Sequence, residues 1–431
     1  MGRLLILSLN YSPEATGFAP HTTALAEHLA AAGHDVTVVT GFPFAPRWAR
    51  LPEDRGALVR QETVNGVRLV RVTHFIPRTP GSAVQRILME GSFAAAAGVW
   101  LSASPFSTER RYDLIMYVGA QPAIALLARM VAAIQKAPYV VKITDLAAQA
   151  AIDVGIVGGG WAANVLKRIE FAAYRRARAA IVLCDAFKTA LCAEGFSADA
   201  VHVIRDSVDL QAIRPGAGDA SFRQRHGIGP DEFVVLYSGS LGLKQSLFDV
   251  VDAAMLLADS CPDVRWVLVG EGENREALAK RIASAAAGRR VLMLPLQPER
   301  ELSAMFAAAD LLLLSQLRSV KDTVIPSKLL MYMAAGRPIL AAVNPESQAA
   351  VIIRDALGGV IVPAEDPAAL AAAVADLRTR RAGLATMAGR NRAYAERHFD
   401  RNTIVVAQQR VIERVIDREA DRQSRAVAAV K

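Results

Sequence analysis

The sequence predicts an α/β protein built from two Rossmann-like, doubly wound parallel-sheet halves. Two observations carry this expectation. Short, continuous Val/Ile/Leu runs recur along the chain with helical patterns between them, which is what a parallel sheet covered on both faces requires. The pattern also stops at a Pro/Gly-bearing stretch, Asp206 to Asp219, and then restarts. A length of 431 residues suits two domains of about 200 each, and 52% apolar with 21% charged residues provides for large buried cores.

The first half opens with the strand run Leu4 to Leu9 and a loop around Gly17. A helix follows with Leu25, Leu29 and Ala32 on one face; Gly33 ends it, and Val36 to Val39 is the next strand. Further strands are expected at Val67–Val72, Leu114–Val118, Tyr139–Ile143, Ala180–Leu183 and Val201–Ile204. The second half restarts at Phe233–Tyr237 and continues through Arg265–Val269, Val291–Leu294, Leu311–Leu314, Ile339–Ala342 and Val360–Val362. Domains are therefore expected at 1–205 and 220–398, with a linker at 206–219. A last helical pattern after Phe399, through Ile404, Val411 and Val415, has no strand behind it and is expected to pack back on the first domain.

Three cysteines, Cys184, Cys192 and Cys261, are odd in number and widely spaced, which fits a reducing compartment and no disulfide framework. The amino terminus lacks the pattern of a signal peptide. The apolar stretch Phe93 to Ala103 is about half of the roughly 20 residues that a membrane span needs. A cytoplasmic protein is expected.

Net charge is +8, and residues 1–205 hold 21 Lys and Arg against 15 Asp and Glu, while the remainder holds 29 against 27. A basic first half points to an anionic neighbour. No recognition motif or dense basic stripe accompanies the charge, so nucleic acid is not expected and an anionic lipid surface is. Arg78, Arg86, Arg110 and Arg111 flank a segment with Ile87, Leu88, Phe93, Val99, Trp100 and Leu101. Cations beside a Trp-bearing apolar run suit an interfacial helix; the alternative is an ordinary buried helix.

Pro326-Ser327-Lys328 follows the strand Leu311–Leu314 and opens a helix. Proline suits the first helical turn, whose free N–H groups and dipole attract an anion. Ser327 and Lys328 would strengthen such a site for a diphosphate; the alternative is a solvated lysine. Gly239-Ser240-Leu241-Gly242-Leu243-Lys244 is a second strand-to-helix turn, in which glycines admit a close backbone approach and Lys244 offers a charge. Gly270-Glu271-Gly272 belongs to the same sheet edge. In the first half Thr16-Gly17-Phe18 offers backbone N–H groups, and Asp145, after Tyr139–Ile143, offers a carboxylate for a sugar or acceptor hydroxyl, or else a local cap. A P-loop, a dinucleotide fingerprint, an Asp-x-Asp pair and a nucleophile triad are all missing, which argues against an ATPase, a dehydrogenase and a bound metal.

The chain resembles glycosyltransferase family 4, the retaining enzymes of GT-B fold, over nearly its whole length. The resemblance rests on Leu5-Ile6-Leu7-Ser8-Leu9-Asn10-Tyr11-Ser12-Pro13-Glu14 with Ala32-Gly33-His34-Asp35-Val36, on Asp206-Ser207-Val208-Asp209, on Val267-Leu268-Val269-Gly270-Glu271-Gly272, and on Met333-Ala334-Ala335-Gly336-Arg337-Pro338. Tyr237-Ser238-Gly239 with Lys244-Gln245, and Pro326-Ser327-Lys328, look most like the subgroup of colanic-acid-type exopolysaccharide transferases, including fucosyltransferase types. The resemblance implies transfer with retention from a UDP- or GDP-linked sugar, without a cofactor, to a saccharide acceptor, and the Arg-flanked segment with Trp100 adds the expectation that this acceptor is lipid-linked. It implies Asp145, Lys244 and Lys328 as catalytic residues, with Gly17, Phe18, Gly239, Ser240, Gly270, Glu271 and Ser327 around the donor. The chain departs from the family where two glutamates usually stand: Thr323 and Met331 occupy those places, Ser240 replaces the usual Arg, and Lys142 stands where the subgroup often has His. A catalytically silent partner of another transferase is the alternative reading.

Overall fold

The computed structural model describes all residues except 15, 16, 46, 80, 104–110, 147–160, 217–219, 285–287, 321–324 and 431, and omits the side chains of 161–163, 220 and 426–430. The chain divides into two compact units, Met1–Asp206 with Asn402–Lys431, and Ser207–Arg401.

In the first unit the order is β1 (Arg3–Leu7), α1 (Ala19–Ala31), β2 (Asp35–Gly41), β3 (Val59–Val64), β4 (Val67–Val72), α2 (Ala83–Ala103), β5 (Leu114–Gly119), α3 (Pro122–Gln135), β6 (Tyr139–Ile143), α4 (Trp161–Tyr174), β7 (Ala179–Val182), α5 (Asp185–Ala193) and β8 (Val201–Val203). The strands form one sheet in the order β3-β4-β2-β1-β5-β6-β7-β8. All pairs are parallel except β3 with β4. The antiparallel β3 is absent from the sequence reading because its residues alternate between exposed and half-buried, so no apolar run marks it. Its signal is the turn Asn65-Gly66, both at positive φ, the dipeptide that favours a tight hairpin.

The second unit continues with α6 (Ala220–Arg225), β9 (Phe233–Ser238), α7 (Leu247–Leu256), β10 (Val264–Val269), α8 (Arg275–Ser284), β11 (Val291–Leu294), α9 (Leu302–Ala307), β12 (Leu311–Ser315), α10 (Ser327–Ala334), β13 (Ile339–Ala342), α11 (Gln348–Ala356), β14 (Gly359–Val362), α12 (Pro367–Thr379) and α13 (Arg381–His398). Its sheet is parallel, in the order β11-β10-β9-β12-β13-β14. A core covers each face: Val234, Leu236 and Leu312 point to one and Val235, Tyr237 and Leu313 to the other. That period-2 split within unbroken apolar strands is what a sheet covered on both faces demands.

The expected linker at 206–219 is corrected in part. Val208, Leu210 and Ile213 are buried in the second unit's core, and Asp209 is ion-paired with Arg401 at 3.0 Å. Burying three aliphatic side chains ties the described part of this stretch to the second unit, so the boundary falls at Asp206. The last helix, α14 (Arg401–Val430), returns to the first unit from Asn402 onward. Its Val411, Ile412 and Val415 lie in one core with Leu4, Ile6, Leu25 and Leu29.

Candidate active site

At the carboxyl ends of β9 and β10 the strand pairing runs on into the turns. Gly239 N–H donates to the Val269 carbonyl at 3.0 Å and Leu241 N–H to the Glu271 carbonyl at 2.8 Å. Gly270 has φ +155°, and a Cβ there would lie 1.8 Å from the Gly239 carbonyl oxygen; a Cβ on Gly272 would lie 2.6 Å from the Leu241 backbone. Only glycine permits these two turns to abut. The structure thus brings Gly239, Ser240, Gly270 and Glu271 together. Ser240 is exposed, and Glu271 pairs with Arg275 at 3.5 Å.

Lys328 enters this turn from α10. The lysine is 8% exposed, which corrects the alternative of a solvated side chain. Its Nζ donates to the Tyr237 hydroxyl at 2.6 Å and to Gln245 Oε1 at 2.8 Å, and lies 4.1 Å from the Tyr237 ring centroid. Tyr237 in turn donates to the Ser240 carbonyl at 2.6 Å. A Cβ on Gly239 would lie 3.1 Å from both Cε and Nζ of Lys328, so the ammonium packs directly on the turn. Tyr332, four residues on and on the same helix face, accepts from Ser238 N–H at 2.9 Å and fixes α10 against β9.

The electrostatics follow from burial. Desolvation depresses the Lys328 pKa to about 7 and raises that of Tyr237 well above its ordinary value. The ammonium also sits in the first turn of α10, where the helix dipole disfavours a cation. Among the described residues its hydrogen-bond partners are neutral oxygens. An anion at this turn would offset both penalties.

Two details differ from the sequence reading. Pro326 is the N-cap of α10, with Ser327 the first helical residue and exposed; the ring's fixed φ suits either place. Lys244 lies in the 3-10 turn Leu243–Gln245, half-buried, with its carbonyl accepting from Leu317 N–H at 2.9 Å. Met331 is partly buried against the core; Thr323 lies outside the described residues.

In the first unit Asp145 is half-buried just beyond the carboxyl end of β6. Its neighbour Lys142 is 1% exposed, and Nζ lies 3.0 Å from Asp206 Oδ1, with His21 Nε2 3.7 Å from Asp206 Oδ2. Burial pushes the Asp206 pKa up, but His21 and then Lys142 outweigh it and hold the carboxyl below its ordinary value. This buried ion pair went unseen in the sequence, because its members are 64 residues apart and no local pattern joins them. Gly17 has φ +63° with open space around its Cβ position, and Phe18 is the N-cap of α1. Thr16 lies outside the described residues.

The expected interfacial segment is α2. It buries Met89, Phe93 and Ala97, while Val84, Ile87, Leu88 and Val99 are exposed. The buried face packs as an ordinary helix of the first unit does, and the other face leaves apolar side chains exposed. Trp100 is half-buried, and Arg78, Arg86 and Arg111 are exposed; Arg110 lies outside the described residues. Among the described residues no helix is long and apolar enough to cross a membrane.

Two doubly wound units, the second with a cationic glycine turn at its strand ends, define a glycosyltransferase of GT-B fold. Residues 16–206 match the Glycosyl transferase 4-like domain and residues 219–393 the Glycosyl transferases group 1 domain, and the chain belongs to this family of enzymes. Among curated proteins it is 28% identical over 342 residues, 78% of this chain and 81% of the relative, to WcaI of Escherichia coli K12, by description a colanic acid biosynthesis glycosyl transferase. Sucrose-phosphate synthase from Thermosynechococcus elongatus has the same fold, with a TM-score of 0.74 at 19% identity, over 97% of this chain and 100% of that one. HepE of Anabaena, solved in complex with UDP-glucose, has a TM-score of 0.68 at 19% identity, over 96% of this chain and 99% of that one.

Proposed function

We propose that this glycosyltransferase moves a sugar, with retention, from a UDP- or GDP-linked donor to a lipid-linked saccharide in exopolysaccharide or cell-surface glycan biosynthesis. The observation that carries the donor half is the buried Lys328 ammonium, held by Tyr237 and Gln245 against the Gly239 turn. An ammonium that burial and a helix dipole both disfavour is matched by a diphosphate, whose leaving charge it would stabilise during transfer. Lys244 adds a second positive charge from the neighbouring turn, and the Ser327 end of α10 adds backbone N–H groups. Ser240, Gly270 and Glu271 line the same edge for the rest of the donor. Asp145 and the Gly17–Phe18 loop are assigned to the acceptor and donor sugar in the first unit. WcaI lends support for the glycan pathway through its name, and HepE for a UDP-sugar through its bound ligand.

Transfer by front-face attack asks little of a side-chain nucleophile. The departing phosphate takes the acceptor proton while Lys328 and Lys244 hold the leaving charge. Calorimetric titration with UDP and GDP tests the site: Lys328→Ala and Lys244→Ala should each weaken binding by about 1–3 kcal/mol, as loss of a charge-assisted hydrogen bond does. Unchanged affinity in both variants refutes it. Met331 favours a second reading, a silent partner of an active transferase, because an apolar side chain holds the place of the family's usual glutamate. Transfer or hydrolysis of labelled nucleotide sugar by the purified protein separates the two.

The acceptor's membrane setting is supported by the exposed Val84, Ile87, Leu88 and Val99 of α2 beside Arg78, Arg86 and Arg111. Attraction of these arginines to anionic headgroups is screened over about 8 Å at physiological ionic strength, whereas burial of the apolar face is not. Sedimentation with anionic vesicles, weak with neutral ones and only partly reversed by salt, is the expected result. Equal pelleting with both removes the electrostatic part, and none with either removes the surface.

A further inference from the structure

At the amino ends of β7 and β8, the sheet edge opposite the strand ends where ligands of doubly wound folds bind, the first unit has an open hollow of about 230 Å³. Arg178, Ser197, Asp199 and His202 line it from the strand side, and Arg414 and Arg418 from α14, whose Val411 and Val415 reach into the core. Arg414 and Arg418 are one helical turn apart, an arrangement of like charges that costs stability by itself. His202 is pushed below its ordinary pKa by burial, then by Arg414, Lys188 and Arg418. Against these cations stand Asp199 and Glu419, the latter already engaged with Arg178 at 3.3 Å and Arg422 at 3.9 Å. Three elements that pack for other reasons thus converge mutually repelling cations on one hollow.

We propose that this hollow is a binding site for a small phosphate-class anion, with Arg414, Arg418 and His202 as its ligating groups. Guanidinium forks match phosphate oxygens and form short charge-assisted hydrogen bonds, so an anion converts the repulsion into attraction. The hollow is open to solvent and, at about 230 Å³, has room for a phosphate or diphosphate group between these side chains. Lying on the opposite edge, the site does not depend on the donor reading.

The anion can come from solution or from a phosphomonoester headgroup, and the test has an arm for each. In the Lys328→Met background, which removes the donor lysine, the His202 ring is followed by NMR through a pH titration with and without pyrophosphate, its signal assigned by His202→Gln. Pyrophosphate should raise the His202 pKa by about one unit, as a nearby negative charge does. Arg414→Ser with Arg418→Ser should abolish the shift and weaken pyrophosphate binding at least tenfold; both positions are exposed, and circular dichroism checks the fold. Vesicles containing phosphatidate form the second arm. Pelleting that depends on Arg414 and Arg418 while pyrophosphate leaves His202 unmoved identifies a headgroup. No response in either arm, or binding unchanged in the double variant, overturns the proposal.

Discussion

Replacing Lys328 by methionine should stabilise the protein at pH 6 and weaken its donor binding. Methionine has a similar length and no charge. The lysine pKa falls from 10.5 to about 7 through burial, and each unit of displacement is worth about 1.4 kcal/mol, so the penalty for keeping the ammonium in the fold has a ceiling of about 5 kcal/mol. Methionine removes that penalty and forfeits the bonds to Tyr237 and Gln245, while Tyr237 still donates to the Ser240 carbonyl. A net gain of about 1–3 kcal/mol remains, or roughly 2–4 °C in melting temperature per kcal/mol for a unit of this size. The pH dependence identifies the cause. Between about pH 7 and 10.5 the unfolded chain holds the proton and the folded one does not, so wild-type stability rises with pH through that window. Below it the penalty is complete. The advantage of Lys328→Met should therefore be greatest at pH 6 and shrink by about 1.4 kcal/mol per unit above pH 7. Chemical denaturation of both proteins at pH 6, 8 and 9 measures it. A gap that does not change with pH, or a variant less stable than wild type at pH 6, refutes the reasoning.

Gly270→Ala would place a Cβ 1.8 Å from the Gly239 carbonyl oxygen; it should separate the two turns and lower UDP or GDP affinity more than tenfold, read by calorimetry. Asp206→Asn leaves Lys142 buried without its ion-pair partner and should cost about 3–5 kcal/mol by urea denaturation, with Lys142→Met in the same background restoring part of the loss. Asn391→Ala removes the buried amide that donates to the Arg337 and Gly358 carbonyls at 2.8 and 2.7 Å; a loss of about 1–3 kcal/mol is expected from the same measurement.

The two sheets were legible in the sequence because a strand buried on both faces can only be a short, unbroken apolar run. Leu4–Leu9, Phe233–Tyr237 and Leu311–Leu314 announce themselves in that way, and Gly33 marks a helix end; the hairpin strand before Asn65-Gly66 has no apolar run and was not legible by that signal. The candidate donor turn was legible in part. Gly239, Gly270 and Lys328 stand at strand-to-helix junctions, which a parallel sheet collects on one edge. Burial and pairing were not legible. Nothing in Pro326-Ser327-Lys328 says that the ammonium is turned inward onto Tyr237 and Gln245, since those contacts span 91 and 83 residues. The ion pair of Lys142 with Asp206, the cationic hollow under Arg414 and Arg418, and the packing of Val208 and Leu210 into the second core are of the same kind. Local pattern sets which elements form, because backbone hydrogen bonding and side-chain period are local. Which charges meet, and at what cost in lost hydration, is decided only when the layers pack.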